Sequence, residues 1–138
     1  MSPATNWARV AALTLAALPL SLLVVASRLE PESAGLGTHQ QLGLPPCSMR
    51  LALGIRCPGC GMTTSWAYFT QGQWFNSFLV NSGGFCLALL SLIFAWLAMR
   101  TSFTGKYPSP NTQQNLGITL LVVAAITFTD WLCRLTLS

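Results

Sequence analysis

Apolar residues gather in three runs, each close to the ~20 residues that a helix needs to cross a bilayer. The first lies near 8–28 and runs from Val10 to Ser27, with Trp7 and Arg9 before it and Arg28 after. The second, near 78–99, starts at Phe78 and stops at Arg100, and the third, near 116–137, runs from Leu116 to Leu137. Pro19 falls inside the first run, where a membrane helix absorbs a proline kink. Between the first two runs, residues 31–46 are rich in Gly, Ser, Gln and Pro without periodicity, which reads as irregular chain. From Cys47 onward Met49, Leu51, Leu53 and Ile55 alternate with other residues up to a Cys-Pro-Gly-Cys-Gly turn at 57–61. A short helix is expected over 62–71, capped by Thr63 or Thr64 and ended by Gly72 as its C′ residue. Trp66, Tyr68 and Phe69 make that helix interfacial, because Trp and Tyr favour the headgroup layer. Trp74, Phe75 and Phe78 then lead into the second span, and residues 101–115, with Gly105, Pro108 and Pro110, form a flexible connector.

The expected fold is therefore all-α and integral to the membrane. It has three transmembrane helices, plus a cysteine loop and a short interfacial helix over about 45–72. Composition agrees: 52% of residues are hydrophobic and 7% charged, against roughly 25% charged in a soluble domain. Three spans in 138 residues leave no room for a separate soluble core, so 1–138 is read as one membrane domain. Arg9, the apolar run and Val24-Val25-Ala26 before Ser27 also fit a secretory signal. The length of the run favours an uncleaved anchor.

Arg9 and the α-amino group before the first span favour a cytoplasmic N-terminus, and Arg100 and Lys106 in the short second connector agree. The cysteine loop would then be extracytoplasmic, although Arg28, Arg50 and Arg56, offset by Glu30 and Glu32, bring the charge count close to a tie. The formal charge of +4 is spread thinly, and no basic run suggests nucleic acid.

Cys57, Pro58, Gly59, Cys60 and Gly61 hold two sulfurs within a few Å, a geometry suited to a disulfide, a metal clip or a tight turn. In a redox reading Cys57 attacks, Cys60 resolves and Cys47 is a third exchange partner, with Arg56 and a following helix N-terminus favouring the thiolate. In a structural reading a disulfide among Cys47, Cys57 and Cys60 pins the loop. In a metal reading these three are joined by His39 as a Cys₃His set for zinc, though His39 in a polar loop is first a solvated side chain. Thiolate zinc is less expected on an oxidising face. Gly61 excludes haem attachment, which needs His there.

The order Cys-Pro-x-Cys-Gly-x-Thr, a short aromatic helix, Gly and then Asn at the head of a span resembles the bacterial membrane family known as domain of unknown function 2752. The matching positions are Cys47, Cys57, Pro58, Cys60, Gly61, Thr63, Gly72 and Asn81, so the resemblance covers about residues 43–100. Thr64 stands where the family usually has Arg, and Ser82 where it usually has Pro. The resemblance implies an architecture and a bacterial inner membrane, and no activity.

Inside the spans, Cys86 and Cys133 read as small packing residues. Asn81, Ser82, Gly83 and Gly84 read as residues that let helices approach closely. Asp130 and Arg134, four apart on one helix face, read as an ion pair anchoring the third span beside Trp131. No Ser-His-Asp set, phosphate loop or nucleotide fingerprint is present. The expected function is a structural or accessory subunit of a membrane assembly rather than an enzyme, surrounded by lipid and other membrane subunits. It has no required cofactor, with zinc as the one candidate. Membrane thiol-disulfide exchange and metal binding are the alternatives.

Overall fold

A computed structural model describes residues 5–136, so Leu137, the end of the third expected span, lies outside the described residues. Every regular element among the described residues is helical, in the order α1 Asn6–Ala26, a 3₁₀ turn Thr38–Leu42, α2 Ser48–Leu53, α3 Met62–Thr70, α4 Trp74–Val80, α5 Ser82–Thr104 and α6 Pro110–Thr136. Helices α1, α5 and α6 are long and apolar enough to cross a membrane.

Three boundaries differ from the sequence expectation, the first being the end of the second span, which runs past Arg100 to Thr104 until Gly105 closes it. The second span starts at Ser82, and Phe78 belongs to the separate helix α4. The break is Asn81, extended at φ −158° and ψ 102°, whose side chain caps α5 by accepting the Gly84 amide at 2.7 Å. The third span starts six residues before Leu116. Ser109 accepts the Thr112 amide at 3.2 Å, and Pro110 occupies the first helical position, where its missing N–H costs nothing. Capping therefore makes a polar connector helical. Residues 48–53 are also helical rather than merely alternating, and Leu51 and Leu53 stay exposed.

Helix α5 is the central element, packed by α1 on one side and α6 on another. Small residues permit this. Ala16 of α1 meets Ala95 and Ala98 of α5, and nearer the cysteine end Leu23 meets Ala88 and Phe69 of α3. These contacts run antiparallel, and at the far end Arg9 donates to the Phe103 carbonyl at 3.4 Å, at the C-terminus of α5. Gly105 closes that terminus in the left-handed region (φ +65°), and a Cβ there would press on the Arg9 guanidinium. Helix α6 crosses α5 at Gly83, where a Cβ would overlap the Thr127 hydroxyl. In contrast Val123 is the one fully buried residue among those described in α6, so most of this helix presents apolar side chains outward. Lipid is the medium that accepts such a surface.

Helix α3 ends at Thr70, and Gly72 follows as the C′ residue in the left-handed region (φ +78°). The Gly72 amide bonds the Phe69 carbonyl at 3.1 Å and the Gln73 amide the Tyr68 carbonyl at 2.9 Å, the paired closure of a Schellman motif. The corner turns the chain into α4 and is tied back to the segment after α1 by Gln71, whose amide donates to the Leu29 carbonyl at 3.2 Å.

Gly83→Ala is expected to lower stability in detergent by about 1–3 kcal/mol, the usual cost of forcing an extra carbon into a packed contact. Gly117→Ala, where nothing lies within 4 Å, should hold or raise it, since alanine favours helix. Thermal unfolding of the two variants checks this, and a Gly83→Ala protein as stable as the wild type would refute a close α5–α6 crossing.

Candidate functional site

The Cys-Pro-Gly-Cys turn precedes α3 and closes on itself. The Cys60 amide bonds the Cys57 carbonyl at 3.0 Å, and the Cys57 amide donates to the Cys60 sulfur at 3.3 Å. Gly61 is the N-cap of α3 at φ +86°, a left-handed conformation, and a Cβ on it would lie 2.9 Å from the Gly35 carbonyl oxygen. Glycine is thus required twice, for its backbone and for its size. The expected side-chain cap from Thr63 or Thr64 is absent, because both threonines lie within α3, beyond the Gly61 cap. Thr64 is buried and its hydroxyl bonds that of buried Thr38 at 2.7 Å, which in turn accepts the Glu32 amide at 3.0 Å. At the position where the resembled family usually carries Arg, this chain uses a neutral hydroxyl to clamp the preceding loop onto α3.

Two anchors fix the turn to the membrane helices, and a third ties α6 to the end of α4. Asn81 donates its amide to the carbonyls of Cys60 (3.2 Å) and Pro58 (3.4 Å) while its oxygen caps α5. Trp131 of α6 donates its indole N–H to the Arg56 carbonyl. Arg134 forms the ion pair with Asp130 at 3.0 Å and also donates to the last carbonyls of α4, Val80 at 2.6 Å and Leu79 at 3.0 Å. Beneath the turn, the Ser65 and Ser77 hydroxyls meet at 2.9 Å with both residues fully buried, and Trp66 donates to the Gly84 carbonyl at 2.8 Å.

This scaffold brings Cys47, Cys57 and Cys60 together, their sulfurs all within 4.8 Å of one another. The Cys57 and Cys60 sulfurs are 3.1 Å apart, and all three thiols are free. Cys47 is the N-cap of α2, a position its sequence context did not reveal. The Arg50 amide, then the Cys57 thiol and the Met49 amide, hold its thiol down at about 7. Burial, followed by the Cys57 thiol, pushes Cys60 up to about 12. The sequence pointed to Cys57 as the favoured thiolate; the structure sets an activating environment around Cys47.

A cavity of about 360 Å³ opens beside the sulfurs, with His39, Arg50 and Thr63 on its wall. His39 shares the cavity but is not among the converging ligand atoms; its Nε2 contacts the Pro45 carbonyl at 3.3 Å. Cys86 on α5 and Cys133 on α6 stand outside the group, the former half-buried and the latter exposed.

Sequence reasoning treated Asn81 as a packing residue and missed its double role. An Asn directly before Ser-Gly-Gly at a helix start was the available signal, since Asn is a favoured N-cap. The Ser65–Ser77 pair and the Thr38–Thr64 pair carried no local signal.

In reduced, metal-free protein, alkylation of Cys47 is expected to rise with pH through about 7 as its thiolate forms, while Cys60 stays protected until about 12. The sign follows from reactivity belonging to the thiolate. Peptide mapping after timed alkylation checks the order, and Cys60 reacting ahead of Cys47 at neutral pH would contradict it.

No curated protein and no solved structure matches the chain. Residues 47–96, from the first cysteine of the triad to the middle of α5, match the model of the family described as Protein of unknown function (DUF2752), the family that the cysteine motif resembles.

Proposed function

We propose that this protein is one small integral membrane domain, an accessory module of a membrane assembly, whose Cys47–Cys57–Cys60 pocket binds one zinc ion. The observation that carries the reading is the convergence of three free sulfurs within 4.8 Å. Zinc–sulfur bonds of about 2.3 Å at tetrahedral angles set sulfurs about 3.8 Å apart. Cys57 and Cys60 stand at 3.1 Å and no pair of the three exceeds 4.8 Å, so each sulfur lies within about 1 Å of the spacing zinc requires. The outward apolar face of α6 supports neighbouring membrane subunits alongside lipid.

Thiol-disulfide exchange is the second reading, favoured by an activated Cys47 beside a Cys57–Cys60 pair at 3.1 Å. There a partner dithiol would be oxidised to its disulfide while a Cys57–Cys60 disulfide takes up the two electrons and two protons. Protein purified under mild reduction is expected to carry one zinc per chain, lost in the Cys57→Ser/Cys60→Ser variant. A metal-free wild type with two fewer titratable thiols than its five cysteines would sink the zinc reading, and oxidation of a model dithiol by it, lost in the double variant, would support exchange over a static disulfide.

The proposed setting is the bacterial inner (cytoplasmic) membrane with the N-terminus cytoplasmic and the cysteine pocket outside. Arg9, Arg100 and Lys106 gather at one end on short flanks, while Arg28, Arg50, Arg56 and Arg134 belong to the cysteine end together with Glu30, Glu32 and Asp130. Cations near short flanks favour the cytoplasmic side. On the outer face, ligation is what keeps three adjacent thiols from oxidising. After chelation and reduction of intact cells, a membrane-impermeant maleimide should label Cys47; labelling that needs permeabilised cells would invert the orientation.

A further inference from the structure

We infer that the ion held by Cys47, Cys57 and Cys60 keeps its fourth coordination position open to the adjoining cavity, where it takes the sulfur of a small thiol bearing an anionic group. The inference rests on the zinc reading above and goes beyond it, since structural zinc sites are closed by four protein ligands and open ones serve an exchangeable ligand.

Among the described residues, no fourth Cys, His, Asp or Glu donor joins the three sulfurs. His39, the nearest candidate from the sequence, is engaged at Nε2 by the Pro45 carbonyl across the cavity wall. All three cysteines line the same cavity of about 360 Å³, at the lower end of the size range for small-molecule pockets. Gly59 lines the cavity beside them, and a Cβ there would reach only to 4.0 Å from the Cys57 sulfur, so this position adds no bulk against it.

The cavity wall defines the ligand class. It contains no carboxylate, and Arg50 is its one cation, with Gln40 and Thr63 as further polar groups. Leu36 and Leu44 supply an apolar side. Arginine is suited to a planar anion such as a carboxylate, which it grips through two N–H groups. A soft donor completes a thiolate-rich site better than a hard oxygen. A thiol with a carboxylate a few atoms away satisfies both requirements. Its binding forms one metal–sulfur bond and releases the thiol proton to solvent, with nothing oxidised or reduced.

The test uses full-length protein in detergent, loaded with cobalt(II) as a spectroscopic stand-in for zinc. Titration with L-cysteine is expected to change the cobalt ligand-field spectrum saturably, while L-serine leaves it unchanged. Arg50→Gln should raise the half-saturating cysteine concentration about tenfold, as expected for loss of one charge-assisted contact. His39→Ala should leave the thiol-free spectrum as in the wild type. Cobalt bound at one per chain with a spectrum indifferent to cysteine, or altered by His39→Ala before any thiol is added, would overturn the open position and leave the zinc site standing. Failure to bind cobalt at all would remove the zinc site itself, and this inference with it.

Discussion

The carboxamide of Asn81 holds the two halves of this protein together. Its oxygen accepts the Gly84 amide and starts α5, and its N–H₂ donates to the carbonyls of Pro58 and Cys60. One buried side chain thus fixes where the central membrane helix begins and where the cysteine turn sits on it. A buried amide left without partners is costly, so the geometry on both sides is enforced together. Asp in its place would keep the cap and lose both donors, while any apolar residue would lose all three bonds.

The same economy recurs around it. Among the described residues few large side chains are fully buried, and at the cysteine end hydroxyls, glycine and alanine share the interior with Leu23, Leu29 and Phe69. Ser65 and Ser77 bond each other's backbone as well as each other. Thr38 and Thr64 join the irregular loop to α3. Arg134 reaches past its ion pair with Asp130 to the open carbonyls at the end of α4. These contacts replace the hydrophobic core that lipid-facing helices do not need, because their apolar surface is already out of water.

The thiol site inherits its asymmetry from this scaffold. Cys47 is held at a helix start just after the irregular segment, and that helix, α2, and the turn meet at the sulfurs. Burial and the Cys57 thiol keep Cys60 protonated to high pH, whereas the Arg50 and Met49 amides favour the thiolate of Cys47. A pocket with one readily ionised thiol and one reluctant thiol suits metal capture, since ligation can begin at Cys47 and draw the others in.

Sequence alone determined the class of structure, because bilayer thickness sets the length of an apolar run and glycine stops a helix by its backbone freedom. Three spans, the helix after the cysteine turn and its end at Gly72 follow from these local rules. Local rules stop where contacts join residues far apart in the chain. Asn81 with Pro58, Trp131 with Arg56 and Thr64 with Thr38 link segments that no periodicity relates. Capping at Ser109 and Asn81 moved two span boundaries, since a single side-chain oxygen outweighs the polarity of a first helical turn. The sequence already grouped Cys47 with Cys57 and Cys60, but only the tertiary structure set the three sulfurs within 4.8 Å, left His39 aside and opened a cavity beside them. Chemistry at this site depends on where three thiols converge in space, and convergence is a property of the packed helices.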